Sequence, residues 1–321
     1  MEMKNYSCSL NNEMKKYLEL LETAGKHTSH VKSLFNRLNE ILQSKGSQKY
    51  ISKADVFAWD SQLDCSPATR KKSYSALRGF MKYLTTCGIP CEIPELPRAI
   101  GTRYTPYIFN EQEWDSIITE ADNLASSLKR TGTDMPIIFP MIIRVLYSCG
   151  LRLSEALSLK TVDVDLKTEC LIIRKAKRKK QRIVPMKSSM TELMKSFISR
   201  LGLSADVDVF LFAGTDGKPY SDSWVQRWFN VTIERTEIRC ERSRIHERGI
   251  CPHCIRHTFT FCSFQNSTNT FEEMVPFLST YLGHANIMET DHYLRFSYEL
   301  YEEAHSLISD YTNGIFPEVV R

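Results

Sequence analysis

A proline-rich segment divides this chain of 321 residues into two parts of different character. The segment GIPCEIPELPRAIGTRYTP interrupts regular structure, because proline has no backbone hydrogen to donate to a helix or a sheet. Its prolines are Pro90, Pro94, Pro97 and Pro106. A chain of this length also exceeds one ordinary hydrophobic core. We therefore predict two domains, residues 1–92 and residues 108–321, joined by a linker at residues 93–107.

The part before the prolines has the pattern of a helical domain. Leucines recur every three to four residues in NNEMKKYLELLETAG and TSHVKSLFNRLNEILQSKG, and a glycine ends each stretch. Ser52 and the pair Ser66–Pro67 are typical of helix starts, and Gly88 is typical of a helix end. These signals predict that residues 1–92 are helical.

The part after the prolines mixes helices with one hairpin. NEQEWDSIITEAD has the pattern of an amphipathic helix, and PIIFPMIIRVLYSCG that of a buried helix. ECLIIRKAKRKKQRIVPM has two apolar, β-branched arms around a basic turn, which predicts a β-hairpin. The rest is mainly helical up to Thr312. The predicted fold class is mainly α with a small β-hairpin sheet.

Several classes of protein are disfavoured by composition. The sequence has no run of eighteen apolar residues and no apolar stretch near its N-terminus, so we expect neither a membrane span nor a secretory signal. The ten cysteines are scattered, which favours reduced thiols in the cytoplasm over a disulfide framework. The net charge of +4 is small, so any surface for nucleic acid must come from local clustering.

Basic residues cluster at two places. Seven of the nine residues in RKAKRKKQR, residues 174–182, are Lys or Arg, and they occupy the predicted hairpin tip. A second group lies on the helix TRKKSYSALRGFMKYL, which has no acidic residue. Its members are Arg70, Lys71, Lys72, Arg78 and Lys82. A solvated charged surface and a nucleic-acid surface both explain these clusters, and the two interpretations stay open at this point.

Three segments carry residue types suited to phosphate chemistry. They are SCGLRLSEALSLK, CPHCIRHTFTF and LGHANIMETDHYLRF. Their polar residues are Arg152 with Glu155, His253 with Arg256, and His284 with Tyr293 nine residues later. Each pair alone has an ordinary interpretation as an exposed ion pair, a helix cap or a packed tyrosine. Together they form a set that can act on a phosphodiester without a metal. Guanidinium and imidazole groups can neutralise the charge that develops, a tyrosine can attack, and a lysine can protonate the leaving oxygen.

The ordered set GLRLSE, HCIRH, LGH and a tyrosine nine residues on resembles the tyrosine recombinases, the phage integrase family. The resemblance covers residues 146–293 and extends loosely to the helical N-terminal part. It implies a helical, SAM-like core-binding domain followed by a tyrosine-recombinase catalytic domain. It also implies the roles of individual residues. Arg152 and Arg256 match the two arginines that clamp the phosphate, His253 a proton carrier, His284 a hydrogen-bond donor, Tyr293 the nucleophile, and Glu155 an acid that orients the first arginine.

The lysine that would act as general acid is harder to place. The family hairpin resembles GKGxKxRxVP, and counting back from Arg182 assigns the role to Lys177. Ala176 and Arg178 replace the glycines of that pattern, so Lys175 and Lys179 stay open as alternatives. The expected DNA-binding residues are Arg70, Lys71, Lys72, Arg78, Lys175, Arg178, Lys179 and Lys180.

The resemblance implies a site-specific recombinase that forms a 3′-phosphotyrosine and needs no cofactor. Four protomers would assemble on two DNA duplexes, with an accessory recombination factor as a further possible partner and no membrane involved. The acidic helix and tail after Tyr293 are expected to dock on a neighbouring subunit, and packing against their own subunit is the alternative. Similarity in RYTPYIFNEQEW favours a mobile-element enzyme. The alternatives are an Xer-like chromosome-dimer resolvase, a type IB topoisomerase-like enzyme and a non-catalytic DNA-binding regulator.

Two other features have a structural interpretation. Tyr281, Tyr298 and Tyr301 lie at helical spacing among apolar residues, which favours packing in the core. Cys251 and Cys254 bracket His253, with Cys240 nearby. A zinc site needs four ligands and this group does not clearly supply them, so zinc stays an open alternative and we expect no metal.

Overall fold

The structure is a computed structural model, and its described part forms two compact units. The first contains residues 8–98 and the second residues 106–284, each with gaps. The described residues are 8–44, 49–98, 106–127, 135–174, 181–204, 207–240, 249–267 and 270–284. The domain boundaries and their assigned roles stay predictions.

The first unit is built from helices whose starts follow from the sequence. Its helices are α1 (Asn11–Thr23), α2 (Ser29–Gln43), α3 (Lys53–Ser61) and α4 (Pro67–Thr86). Ser52 caps α3, because its side chain accepts the backbone N–H of Asp55 while the Asp55 carboxylate accepts the N–H of Ser52. Ser66 caps α4 in the same position, accepting from Thr69.

Aromatic side chains fill the core of this unit. Phe35 of α2 and Phe80 of α4 lie with ring centroids 4.5 Å apart, and both are fully buried. Trp59 of α3 is also fully buried and meets Tyr74 edge-on at 5.4 Å. Aromatic pairs in these orientations add to the apolar burial that holds helices together. Leu18 of α1 and Leu34, Leu38 and Leu42 of α2 belong to the same buried core.

The second unit combines helices with one small sheet. Its elements are α5 (Glu111–Ser127), α6 (Met135–Cys149), α7 (Leu153–Leu157), a 3-10 helix (Thr161–Asp163), β1 (Val164–Asp165), β2 (Cys170–Ile173), β3 (Arg182–Pro185), α8 (Ser188–Arg200), α9 (Asp222–Arg235), α10 (Pro252–Gln265) and α11 (Phe271–Leu282). The predicted fold class, mainly α with a small sheet, is confirmed.

The sheet has three antiparallel strands in the order β1-β2-β3. Strands β2 and β3 form the predicted hairpin, with Leu171 opposite Val184 and Ile173 opposite Arg182. The two-residue strand β1 was not predicted, because two residues are too few to show an alternating pattern. The hairpin register brings Arg182 to the base of the basic tip.

Helix α6 lies in the core of the second unit and sets the position of the residues that follow it. Ten of the fifteen residues of α6 are apolar and buried, which is typical of a helix surrounded by protein. Gly150 follows it with φ of +58°, and an added Cβ there would lie 2.4 Å from the ring of Phe259. Only glycine suits this sharp exit. The chain therefore leaves the core at a fixed point, two residues before Arg152.

Within the described ranges, no helix is both long enough and apolar enough to cross a membrane.

Candidate active site

Arg152 lies at the N-terminus of α7 and is oriented by Glu155. The Glu155 carboxylate accepts the backbone N–H of Arg152 at 3.0 Å and its Nη1 at 2.9 Å. The Nη2 group of Arg152 donates to the backbone oxygen of Gly283 at 3.1 Å. The guanidinium is thus held between α7 and the Leu-Gly-His turn after α11. Its side chain remains 19% exposed, so the arginine still faces solvent.

Glu155 is the buried centre of a group of arginines. Its side chain is 1% exposed and accepts hydrogen bonds from Arg152 and Arg182, while Arg256 Nη1 lies 3.9 Å from Oε2. Burial alone would raise the pKa of this carboxyl, but the hydrogen bonds and charge of Arg182 and the hydrogen bonds of Arg152 outweigh it and hold the pKa at about 2. One carboxylate therefore faces three guanidinium groups, and the cluster retains excess positive charge.

Arg182 is the member of this cluster that the sequence did not reveal. It binds Glu155 through two parallel hydrogen bonds, Nη1 to Oε1 at 3.0 Å and Nη2 to Oε2 at 2.7 Å. Its Nε donates to the backbone oxygen of Tyr281 at 2.8 Å. A usable signal does exist, because Arg182 and the buried Val184 share one face of β3. An arginine on the inward face of a strand needs an anion nearby.

Arg256 projects from α10 into the same cluster and is almost completely buried. Its Nη1 donates to the backbone oxygen of Gly150, and its Nη2 donates to the backbone oxygen of Leu282, each at 2.7 Å. The guanidinium thus joins the end of α6 to the end of α11. Sequence separation gives no hint of this, since the two oxygens lie 106 and 26 residues away from Arg256.

His284 contacts Arg256 directly. The Nε2 atom of its ring lies 3.1 Å from Arg256 Nη2. Burial lowers the pKa of His284 to about 3, assisted by the positive charges of Arg256, Arg152, Arg182 and His253. The imidazole is therefore neutral at pH 7. Because an arginine can only donate, Nε2 accepts this hydrogen bond and we infer that the proton lies on Nδ1.

Gly283 allows this turn to form. It ends α11 with φ of +64°, and an added Cβ would lie 3.0 Å from Arg182 Nη1. A side chain here would strain the backbone and push against the arginine cluster. The glycine of the Leu-Gly-His motif therefore has a structural reason, and it places the His284 ring beside Arg256.

His253 lies on the wall of an open cleft beside Arg152. The cleft has a volume of about 420 Å³. Its polar lining includes Arg152, Ser154, Asp222, Gln226, Cys251 and His253. The His253 ring also meets the ring of the buried His257 edge-on at 4.6 Å. The structure thus brings together five of the predicted site residues, namely Arg152, Glu155, His253, Arg256 and His284.

Two predicted catalytic residues lie outside the described residues. They are Tyr293 and Lys177, and the other hairpin-tip residues Lys175, Arg178, Lys179 and Lys180 lie outside as well. The acidic helix and tail after Tyr293 are also outside them, as are Tyr298 and Tyr301. Tyr281 is described, and it stacks on Phe259 at 5.6 Å as the core interpretation predicts.

The basic residues on α4 fall into two groups. Arg70 forms a two-pronged ion pair with Asp60, with both hydrogen bonds at 2.7 Å, and Arg78 donates to the backbone oxygen of Pro94. Lys71 and Lys72 are exposed. The two arginines are thus already engaged within their own unit, whereas the two lysines present their charge to solvent. DNA binding by all four stays a prediction.

Cys240, Cys251 and Cys254 lie near His253 in the sequence. Cys251 and Cys254 are both buried, with sulfur atoms 3.9 Å apart, while Cys240 is exposed. Among the described residues, no group of three His, Cys, Asp or Glu side chains could hold an ion. Structural zinc needs four such ligands.

The fold matches those of solved recombinase structures. XerH site-specific recombinase, solved with its difH substrate before cleavage, matches with a TM-score of 0.64, 20% identity and coverage of 91% of this chain and 83% of that one. The Tn1549 transposon integrase, solved with transposon right-end DNA, matches with a TM-score of 0.62, 17% identity and coverage of 92% and 99%. The architecture is therefore that of tyrosine recombinases.

Sequence comparisons identify the family. The model of the phage integrase family matches residues 109–299. The chain is 28% identical to a tyrosine recombinase of Pseudothermotoga lettingae over 77% of its own length and 76% of the relative's. It is 26% identical to tyrosine recombinase XerC of Staphylococcus saprophyticus over 81% of both. A Sinorhizobium fredii protein named as an integrase/recombinase matches at 28% identity, over 63% of this chain and 65% of that protein.

The chain belongs to the phage integrase family, whose members are enzymes that cleave and rejoin DNA. The resemblance seen in the motifs is thereby confirmed.

Proposed function

We propose that this chain is a site-specific tyrosine recombinase that cleaves and rejoins duplex DNA through a 3′-phosphotyrosine on Tyr293. The observation that carries the proposal is the convergence of Arg152, Arg256 and His284 around the Leu-Gly-His turn. Family membership supplies the reaction class, and this convergence supplies a site with the charge that the reaction needs.

The arginine cluster suits a phosphodiester in its transition state. Negative charge grows on the non-bridging oxygens as the nucleophile approaches. Arg152 and Arg256 are held in place by backbone oxygens and by Glu155, so little reorganisation is needed when the phosphate arrives. The phosphate would replace the His284 ring as a partner of Arg256. His284 would then donate a hydrogen bond to a phosphate oxygen.

The remaining residues would move protons. The phenolic oxygen of Tyr293 bonds to phosphorus while the bond from phosphorus to the 5′ oxygen breaks. His253, on the wall of the cleft, takes the tyrosine proton, and Lys177 at the hairpin tip gives a proton to the leaving oxygen. A 5′-hydroxyl from the partner duplex then attacks the phosphotyrosine and reverses the step. The phosphotyrosine conserves the energy of the bond, so no ATP is consumed.

Arg182 would act as a positioning residue. Its two hydrogen bonds fix the carboxylate of Glu155, which in turn fixes Arg152. It also begins β3, the strand that leads from the hairpin tip where Lys177 lies in the sequence. Arg182 would therefore couple the position of the general acid to that of the phosphate clamp without touching the DNA.

Duplex DNA is the proposed partner, bound by the exposed lysines of α4 and the hairpin tip. Phosphate contacts of this kind make affinity fall steeply with salt. Exchange between two duplexes requires four protomers, and the segment after Tyr293 would dock on a neighbouring subunit. We assign the enzyme to integration or excision of a mobile element. Two features support this assignment. Residues 103–114 resemble the corresponding segment of mobile-element recombinases, and some relatives are named integrase/recombinase.

A covalent-trapping assay tests the proposal. Wild type, Tyr293→Phe and the neighbouring control Tyr298→Phe are mixed with nicked duplexes that carry the DNA flanking the gene, in the presence of EDTA. We expect a slowly migrating protein–DNA adduct on SDS gels for wild type and Tyr298→Phe, and none for Tyr293→Phe.

Other outcomes would point elsewhere. An adduct that persists in Tyr293→Phe would show that another tyrosine attacks. Salt-sensitive binding without any adduct would favour a DNA-binding regulator. Plasmid relaxation without strand exchange between duplexes would favour a topoisomerase-like enzyme.

A further inference from the structure

Two cysteines flank the proton-carrying histidine at the start of α10. Cys251 is the N-cap of this helix, and Pro252 and His253 lie between it and Cys254. The two sulfur atoms are 3.9 Å apart. All ten cysteines lie in the described part of the chain, and none of them is in a disulfide. This pair therefore consists of two thiols at a separation that a small movement could close.

The pair can be reached from the cleft that holds the proposed chemistry. Cys251 lines that cleft together with Arg152 and His253. Cys254 is fully buried behind it. Thiolates are stabilised at helix N-termini and near cations, and the thiolate is the form that reacts with oxidants. Cys251 thus has the position of an attacking sulfur, and Cys254 that of a resolving sulfur.

We propose that Cys251 and Cys254 form a reversible disulfide that disables DNA cleavage by displacing His253. The effect on cleavage rests on the proposed function, whereas the disulfide itself does not. The oxidant is a small peroxide, because the cleft admits small molecules and Cys251 is only 8% exposed.

The chemistry balances with peroxide as the oxidant. The Cys251 thiolate attacks one oxygen of hydrogen peroxide, which gives a sulfenic acid and, after protonation, water. The Cys254 thiol then attacks that sulfur and displaces a second water, leaving a disulfide. Two thiols are oxidised and one peroxide is reduced to two waters. A dithiol reductant reverses the change by thiol–disulfide exchange.

The bond would shift the side chains in the first turn of α10. A disulfide requires the sulfur atoms at about 2.05 Å, so they must approach by almost 2 Å. The backbone N–H of Cys254 donates to the oxygen of Cys251 at 2.8 Å, so the ends of this turn are already close, and rotation of the two side chains supplies part of the approach. His253 lies inside this turn and Arg256 lies two residues beyond it. Small misplacements of catalytic groups have large effects on rate.

The test uses the full-length protein and three independent measurements. Wild type, Cys251→Ser, Cys254→Ser and the control Cys262→Ser are treated with hydrogen peroxide, quenched with catalase, and blocked with an alkylating agent. Peptide mass spectrometry reports the disulfide, and carbethoxylation by diethylpyrocarbonate reports the surroundings of His253. Covalent trapping on nicked DNA reports cleavage.

For wild type and Cys262→Ser we expect a Cys251–Cys254 disulfide, a changed His253 reactivity and at least a tenfold loss of adduct, all restored by dithiothreitol. Cys251→Ser and Cys254→Ser should keep their adduct after peroxide. If the reduced enzyme forms no adduct, the proposed function fails, while mass and His253 reactivity still judge the disulfide. Absence of the disulfide, a disulfide that leaves His253 reactivity unchanged, or bound zinc that blocks oxidation would overturn the proposal.

Discussion

Two arginine–carboxylate pairs in this protein each have two hydrogen bonds of similar length but lie in different surroundings. Arg182 binds Glu155 through two hydrogen bonds of 2.7 and 3.0 Å, and Arg70 binds Asp60 through two of 2.7 Å. Glu155 and Arg182 are 1% and 11% exposed, with Arg152 and Arg256 beside them, whereas Asp60 and Arg70 are 19% and 42% exposed. Hydrogen-bond length alone therefore does not distinguish the buried arginine cluster from a surface ion pair.

The difference lies in the balance of charge and water. Around Glu155, three guanidinium groups share one carboxylate that is almost completely buried, so the excess positive charge attracts an anion strongly. At the surface, one arginine neutralises one carboxylate, and water and salt weaken their attraction. Removing a charged partner should therefore have a large effect on activity and stability in the Glu155 cluster and a small effect in the Arg70–Asp60 pair.

The largest difference should follow from replacing a guanidinium by an ammonium group. Arg256→Lys keeps the charge but lacks the planar guanidinium that donates to the backbone oxygens of Gly150 and Leu282 and to an incoming phosphate at the same time. We expect the rate of covalent adduct formation to fall on the order of 1000-fold. Arg70→Lys is the matched control and should change this rate less than about threefold. Single-turnover cleavage of nicked DNA measures both.

Equal rates for the two variants would contradict the distinction between the clusters. Circular dichroism and a thermal melt would first show that Arg256→Lys is folded, so that the loss can be assigned to chemistry.

The second difference concerns stability. Glu155→Gln would leave three buried or partly buried arginines without their carboxylate, and breaking such an arrangement costs about 3 kcal/mol in the free energy of unfolding. Asp60→Asn should cost less than about 1 kcal/mol, because Arg70 can turn to water. Urea denaturation at pH 7 measures both values. A Glu155→Gln protein as stable as wild type would mean that the arginines repel one another less than their positions suggest.

The sequence anticipated one side of the Glu155 cluster and missed the other. Arg152 and Glu155 are three residues apart at a helix start, so local spacing predicts their pairing. Arg182 lies 27 residues from Glu155, on another element, within a run of similar cations. Nothing in that run distinguishes it except the alternation of β3. Local patterns therefore identified α4, α6 and the hairpin. The contacts among α7, β3 and the turn after α11 are long-range tertiary contacts, which local patterns do not predict.

The third difference is a pH dependence of stability. The folded pKa of His284, about 3, lies below its ordinary 6.5, so the unfolded chain binds its proton first and stability falls as pH drops from 6.5 towards 3. Glu155, with a folded pKa of about 2 against an ordinary 4.5, adds a further loss only below pH 4.5. Between pH 6.5 and 4.5, the lowered pKa of His284 should reduce the free energy of unfolding by about 2 kcal/mol after partial screening.

His284→Gln should therefore lose less stability than wild type between pH 6.5 and 4.5, as measured by urea denaturation at each pH. His30 in the first unit provides the comparison, since burial and Lys72 also lower its pKa. His30 faces one nearby cation, whereas His284 faces several. His30→Gln should therefore recover less of the stability that is lost between pH 6.5 and 4.5. Identical pH profiles for His284→Gln and wild type would show that folding does not lower the pKa of His284.

The fourth difference tests Arg182 as a positioning residue. Arg182→Lys keeps one hydrogen bond to Glu155 but loses the parallel pair, and we expect about a tenfold slower cleavage with little change in DNA affinity. Arg182→Gln should be slower still. A slower cleavage rate with an unchanged DNA affinity would show that Arg182 positions other residues and does not contact the DNA. A loss of affinity equal to the loss of rate would instead place Arg182 against the DNA.

The smallest difference concerns DNA binding by α4. In the wild type, Asp60 neutralises Arg70. Asp60→Asn removes this partner, so Arg70 would become free to contact a phosphate. We expect at most a few-fold increase in affinity, with the slope of log K against log salt steeper by about 0.9 for one added phosphate contact. Lys71→Gln should make the slope shallower by a similar amount, because Lys71 is already exposed. If Asp60→Asn leaves the slope unchanged while Lys71→Gln lowers it, Arg70 serves its own unit and only the lysines of α4 meet the DNA.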